Sequence, residues 1–352
     1  MRINGDEILS IGCRYDPPKG GIAQVLYTYK NEVYDTFHFV KNSGNQGFLS
    51  NLWIALLGCI RMVYTIQTNP NIRVVHIHTA SYISFRRTAV FVRLAKYMNR
   101  FVVLHIHGGA FRDYYQTNPN WISGILKKAD CILALTDNWN SFFSDELHMP
   151  HVITVPNIVS NPQIKVIKND NRIHLLFLGF IIEAKGIFDL AEVIKDHKAE
   201  WNGKLLLHVG GSHEVERLRR FVHENGLDTL IQYEGWVSGD KKIELLNQMD
   251  AYILPSYVEG LPISILESLA YGKPVITTPV GGIPEVVNEN NGFLFSPGDR
   301  VTMYKIIQSI IDNPALLEKK ACNAKIAVER NRPDNIARIL DNVYKQLLVK
   351  EI

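Results

Sequence analysis

Short apolar runs alternate with longer amphipathic stretches along most of the chain. In the first half the runs are EILSIG, DTFHFV, IRVVHIH, RFVVLHIH, DCILALT and HVITVP, and helix-length patterns such as Arg86 to Met98 and Asn138 to Leu147 lie between several of them. This rhythm predicts strands and helices in alternation, hence a parallel sheet with helices on its faces. It restarts later with IHLLFLG, KLLLHVGG, LIQYEG, AYILPS and KPVITT, each followed by a helical pattern. Between the two halves, PNIVSNPQIKVIKNDNR (156–172) turns polar, with two prolines and four asparagines, and reads as a linker. The pattern therefore predicts an α/β protein with doubly wound, Rossmann-like domains over 1–160 and 170–330, and a terminal helix within 331–352. Two such domains face an interdomain cleft in this expectation, with the chemistry in loops just after strands.

Composition adds bounds. At 352 residues and 46% hydrophobic content the chain can fill two ordinary cores. Residues 1–165 carry 16 Lys/Arg against 10 Asp/Glu, and the remainder 22 against 25, so the first half is mildly basic. The dense basic runs of a nucleic-acid groove are missing, and no nucleic-acid partner is expected. Four scattered cysteines suggest neither a disulfide framework nor a zinc site. The start, MRINGDEILSIG, contains acidic residues and lacks an apolar signal core, and a cytoplasmic location is expected. FLSNLWIALLGCIRMVYTI (Phe48 to Ile66) is nearly long enough to span a bilayer but is interrupted by Asn51 and Arg61, and it is read as a buried crossover helix.

The chemistry-bearing stretch is EGLPISILE, with Glu259 and Glu267 eight positions apart after the strand-like DAYILPS. Pro262 suits the first turn of a helix, leaving Glu259 in the loop and Glu267 inside the helix. A fully helical span would separate them by about 12 Å. Glycosidase carboxyls lie within about 5 to 9.5 Å of each other, so these two suit opposite ends of one elongated ligand, with helix-start N–H groups facing an anionic middle. A nucleotide-sugar has that layout. A solvated glutamate pair is the ordinary alternative.

The wording EGLPISILESLAYGKPVITTPVGGIPEVV resembles the signature of the retaining glycosyltransferases of family 4, which have the GT-B fold. The resemblance implies that Glu259 bonds hydroxyls of the transferred sugar and Glu267 the ribose. Backbone amides of Gly260, Leu261 and Ile263 would lie beside sugar and phosphates. In FLGFIIEAKGIFDLAEVI it places Lys185 on the diphosphate, although Phe180 stands where the family has an arginine. Gly20 and Gly21 of DPPKGGIAQVLYTY would close on the diphosphate, and His107 of VVLHIHGGAF would lie at the sugar–phosphate junction. Gly235, Trp236 and Val237 would border the base. His78, Ser81 and Arg86 are candidates for the acceptor side, whereas His105 is read as core. VGGIPEVV is read as a structural turn into a helix near Pro284.

With no DxD triplet and no metal-ligand spacing, the leaving-group charge falls to Lys185 and helix-start amides, so neither metal nor cofactor is expected. The expected reaction is metal-independent, retaining transfer from a nucleotide-diphospho-sugar to an acceptor hydroxyl, in surface polysaccharide or glycoconjugate synthesis. The acceptor is expected to be a saccharide or lipid-linked saccharide; Arg86, Arg87, Arg93, Lys96, Tyr97 and Arg100 are read either as holding it at an anionic membrane face or as an ordinary solvated face. That location would be peripheral, at the inner face of the cell membrane. Competing readings are a nucleotide-sugar 2-epimerase of related fold, a dinucleotide-dependent oxidoreductase, and a non-catalytic sugar-binding protein. The oxidoreductase lacks a GxGxxG after a strand.

Overall fold

The computed structural model describes residues 2–44, 47–165 and 170–349, which cluster as two units: Met1–Ser160 with Arg330–Ile352, and Asn161–Glu329. The second is inserted in sequence between the sheet of the first and its last helix. Part of the expected linker, 166–169, lies outside the described residues.

In the first unit β1 (Ile8–Cys13), β2 (His38–Ser43), β3 (Val74–Thr79), β4 (Phe101–Ile106), β5 (Cys131–Ala134) and β6 (Val152–Thr154) form a parallel sheet in the order β2-β1-β3-β4-β5-β6. β3 and β4 are buried throughout, because helices cover both faces. The second unit repeats the plan with β7 (Ile173–Ile181), β8 (Leu205–His213), β9 (Ile231–Gly235), β10 (Ala251–Leu254), β11 (Val275–Thr277) and β12 (Gly292–Leu294), ordered β12-β11-β10-β7-β8-β9. The edge strand β12 was not among the runs read from the sequence. Strand order reverses direction at β1/β3 and at β7/β10, and loops after those strands are where an open parallel sheet binds ligands.

Three helices of the first unit matter below: α1 (Gly21–Thr28), α2 (Phe48–Thr68) and α3 (Ile83–Tyr97). The segment expected as one helix over 138–147 is a short helix, Asp137–Ser141, continued by the wider turn Phe142–Glu146. α2 does link β2 to β3 as a crossover, but it is not buried. Leu49, Leu52, Trp53, Leu56, Leu57, Ile60 and Tyr64 are all exposed. Composition cannot distinguish a helix covered on all sides from one covered along a narrow edge.

One sheet face of this unit packs conventionally: Val75, Ile77, Val102 and Leu104 meet Phe85, Phe91 and Val92 of α3. The opposite face is unusual. His76 and His78 project from β3, and the β3–β4 register sets His78 beside His105. Their rings stack, with centroids 4.3 Å apart for His76 and His78 and 5.2 Å for His78 and His105. The terminal helix Pro333–Leu348 covers them, and its Tyr344 hydroxyl lies 2.7 Å from His76 Nδ1 and 2.5 Å from the Tyr34 hydroxyl. Proline at the helix start and apolar residues at Ile336, Leu340, Val343 and Leu347 explain its formation and its buried stripe. Desolvation, then repulsion from neighbouring imidazoles, pushes the histidines down, His76 to about 3 and His78 and His105 well below their ordinary value. All three are neutral near pH 7.

The three rings offer donor atoms within 4.8 Å of one another. A bound ion lies near the plane of each imidazole that ligates it, and ligands 2.1 Å from a tetrahedral ion are about 3.4 Å apart. Stacked, near-parallel rings such as His76 and His105, 12° apart, do not share such a point. This arrangement fits a packed stack, not a ligand set.

Neutral burial sets the pH response. The unfolded chain binds protons on these histidines below about pH 6.5 while the folded chain does not, so stability is complete above that pH and falls toward the depressed native values. Between pH 7.5 and 5.0 each of His76, His78 and His105 is expected to remove about 2 kcal/mol. Urea unfolding across that range should show the fall, with at least three protons taken up on unfolding, because the depressed His107 and His208 add to the count.

Candidate functional site

The second unit brings Lys185 and Glu259 together at its switch point. β7 ends at Ile181 and the turn Glu183–Lys185 carries the lysine, while β10 ends at Leu254 and Glu259 follows in the next loop. Lys185 Nζ is 2.5 Å from Glu259 Oε1, and the Ser256 hydroxyl donates to the same oxygen at 2.8 Å. The Glu259 side chain is 9% exposed, so the charges are largely withdrawn from water and held at a fixed point.

Backbone contacts place this pair. Gly186 has φ +67°, and a Cβ there would collide with the Pro255 carbonyl oxygen, so only glycine lets the lysine loop approach β10 so closely. Tyr257 N–H donates to Ala184 O at 2.9 Å, and its hydroxyl donates to Asp189, which also accepts from Arg300. The helix Ile263–Ala270 then begins, with Pro262 immediately before its first residue rather than inside the first turn. Glu267 lies inside it and accepts from Lys242 Nζ at 2.6 Å. The two glutamates thus engage different lysines. Leu261 and Ile263 are buried at the helix start. Beneath them the buried Tyr252 hydroxyl sits 2.9 Å from Leu178 O and 2.7 Å from Ser264 Oγ.

In the first unit Gly20 has φ +100° and caps α1, with open space around both it and Gly21. His107 follows β4, and its Nε2 lies 3.1 Å from His78 Nδ1. Burial pushes the His107 imidazole down to about 4 against an opposing hydrogen bond from Asn157, so it is neutral near pH 7 and partly accessible. A Cβ on Gly108 would lie 2.6 Å from Ser81 Oγ, so Ser81 and the His107 loop are immediate neighbours. His78 is only 2% exposed. The acceptor role expected of it gives way to support of His107 from behind, because the ring belongs to the buried stack. Arg86 lines a different cavity of about 180 Å³, with Tyr114, Thr117, Asn118 and Trp121.

Residues 161–327 match the family model described as glycosyl transferases group 1. An uncharacterized glycosyltransferase of Methanocaldococcus jannaschii is 29% identical over 65% of this chain and 64% of its own length. The capsular polysaccharide biosynthesis glycosyltransferase CapM of Staphylococcus aureus is 30% identical over 51% of this chain and 47% of its own. The chain spans less than two thirds of the length of the curated relatives it matches. Among solved structures, sucrose-phosphate synthase from Thermosynechococcus elongatus has a TM-score of 0.80 at 16% identity, covering 97% of this chain and 99% of that one. HepE of Anabaena, solved with UDP-glucose, has a TM-score of 0.76 at 16% identity, covering 96% and 99%. The fold is GT-B, with two Rossmann-like domains.

Within the inserted unit several supports escaped sequence reading. Lys242 and Ser256 sit in ordinary polar stretches, and only the fold carries them to Glu267 and Glu259. The glycines of VGGIPEVV do more than make a turn: Gly282 N–H donates to Gly260 O at 2.6 Å, and a Cβ on Gly281 would collide with the Glu259 carbonyl oxygen. The helix expected near Pro284 is a single 3₁₀ turn, Ile283–Glu285. Phe180, where the resemblance expects a cation, sets its ring 4.1 Å from that of His213 at the end of β8. Gly235 ends β9 with φ +79°, Trp236 is 38% exposed, and Val237 turns inward, leaving only 2.6 Å from its Cγ2 to a Cβ built on Gly210.

Gly281 and Gly203 both have left-handed backbones, but only Gly281 is crowded. Gly203→Ala is expected to cost about 1–2 kcal/mol from backbone strain alone, and Gly281→Ala at least about 2 kcal/mol more. Urea unfolding of the two variants measures the difference.

Proposed function

We propose that the chain is a glycosyltransferase that moves a sugar from a nucleotide-diphospho-sugar to a saccharide hydroxyl, with retention and without a metal ion. The observation that carries this reading is the Lys185–Glu259 pair at the β7/β10 switch point, followed at once by a helix start and then by Glu267. A cation, a run of helix-start amides and two carboxylates are the groups needed by diphosphate, sugar hydroxyls and ribose. The match of 161–327 to group 1 glycosyl transferases supports it.

In this reading Glu267 accepts from the ribose hydroxyls, Lys185 neutralises the diphosphate, and Glu259 accepts from hydroxyls of the transferred sugar. Trp236 borders the base. An acceptor oxygen attacks the anomeric carbon, the bond from that carbon to the phosphate oxygen breaks, and the departing phosphate takes the acceptor proton. CapM and the putative colanic acid biosynthesis glycosyltransferase WcaL favour a role in surface polysaccharide synthesis, with a saccharide or lipid-linked saccharide as acceptor.

UDP-glucose, present in the HepE structure, is the first donor to test. UDP and UDP-glucose are expected to raise the melting temperature equally with and without EDTA. Glu267→Ala should weaken both UDP and uridine about tenfold or more, whereas Lys185→Ala should weaken UDP by that factor and leave uridine unchanged. If no nucleoside diphosphate or nucleotide-sugar shifts the melt, the reading is lost. Recovery of an isomerised free nucleotide-sugar, in place of a glycosylated acceptor, would establish the 2-epimerase instead.

A further inference from the structure

Helix α2 turns an apolar side to solvent. Its inner edge, Ala55, Gly58, Cys59, Met62 and Ile66, packs on the first unit. A Cβ on Gly58 would come within 2.7 Å of the Lys41 carbonyl oxygen and 3.1 Å of the Phe91 ring, so this edge is held tightly. The outer side carries Leu52, Trp53, Leu56, Leu57, Ile60 and Tyr64, with Trp53 65% and Tyr64 67% exposed. Within Leu49–Thr68 an 18-residue window reaches a mean hydropathy of 1.5, yet only 22% of that window is buried. On the adjoining α3, Ile83, Arg86, Val90, Arg93 and Tyr97 recur at helical spacing, and all five are exposed. A contiguous apolar patch of this kind marks a binding surface.

Charge indicates what covers it. From Thr36 to Arg112 the sequence contains no aspartate or glutamate but nine lysines and arginines. At the chain-wide frequency of 35 acidic residues in 352, those 77 positions would hold about eight. The absence of carboxylates extends over both α2 and α3.

We propose that α2 and α3 form a face that binds anionic phospholipid, with α2 lying in the plane of the membrane surface. Leu52, Trp53, Leu56, Leu57 and Ile60 enter the boundary of the acyl region, Tyr64 and Tyr97 sit at headgroup level, and Arg61, Arg86 and Arg93 reach lipid phosphates. The inner edge of α2 stays packed on the fold, so the helix lies on the bilayer and does not cross it. A second copy of the chain fits this face less well, because a two-fold interface would set the arginine stripes against each other. The proposal rests on packing and charge in the first unit alone and is independent of the transferase reading.

The full chain is sedimented with vesicles of phosphatidylglycerol and phosphatidylcholine, and with phosphatidylcholine alone, at low and high salt. Binding is expected to the mixed vesicles and to be about tenfold or more weaker without phosphatidylglycerol or at high salt. Leu56→Glu with Ile60→Glu should abolish binding while leaving the melting temperature unchanged, since both side chains are exposed. Arg61→Ala with Arg93→Ala should remove the preference for phosphatidylglycerol. Trp53 emission should shift to the blue on vesicles, and Trp53→Phe should lose that shift. Failure to sediment with anionic vesicles, unchanged binding by the glutamate variant, or a solution dimer that the glutamate variant dissociates would overturn the proposal.

Discussion

Everything in the inserted unit that can do chemistry depends on how closely three strand-end loops approach one another. The Lys185 loop lies against Pro255, and the loop at Gly281 lies against Glu259 and Gly260, at distances that no side-chain-bearing residue permits. Glycine loses more conformational entropy on folding than other residues. What that cost secures here is a lysine and a glutamate held 2.5 Å apart at the mouth of a parallel sheet. Around them Tyr257 joins the lysine loop to Asp189, and the Thr278 hydroxyl donates to Ser256 O at 2.5 Å. The backbone fixes where the two side chains start, and the Ser256 hydroxyl helps hold the Glu259 carboxylate in place.

Sequence legibility followed burial. Strands covered on both faces, such as β3, β4 and β7, were read because they are predominantly apolar runs, whereas GFL of β12 was not among the runs read. The site was legible where residue type and chemistry coincide: Glu259 and Lys185 stand out beside prolines and glycines after strands. Lys242 and Ser256 did not, since a lysine in GDKK or a serine in LPSY looks like any surface residue until the helix Gly239–Gln248 is placed. The outward face of α2 was misread for a related reason. Apolar content reports affinity for a nonpolar environment, and it does not say whether protein or another phase supplies it.

The histidine stack shows a different limit. Alternation in VVHIHT and LHIHGG places the imidazoles on one face, but only the returning terminal helix makes that face interior. Several of the enclosed nitrogens, including His76 Nε2 and His78 Nε2, have no hydrogen-bond partner among the described residues. Burying such groups is costly, and the compensation available is ring stacking and the apolar surface of Pro333–Leu348. The first unit therefore carries polar strain in its core directly behind His107, whose Nε2 meets His78 Nδ1.

The Lys185–Glu259 pair also constrains what can bind. Both groups are already partnered and mostly withdrawn from water, so a ligand that separates them must replace both partners. An anion by itself satisfies the lysine and leaves the carboxylate enclosed without its cation. A neutral saccharide does the reverse. A molecule with negative charge and hydroxyl donors joined at a fixed spacing satisfies both ends, exchanging one set of charge-assisted hydrogen bonds for another. In the proposed reading, selectivity for a sugar bonded to a diphosphate would follow from the cost of half-filled alternatives.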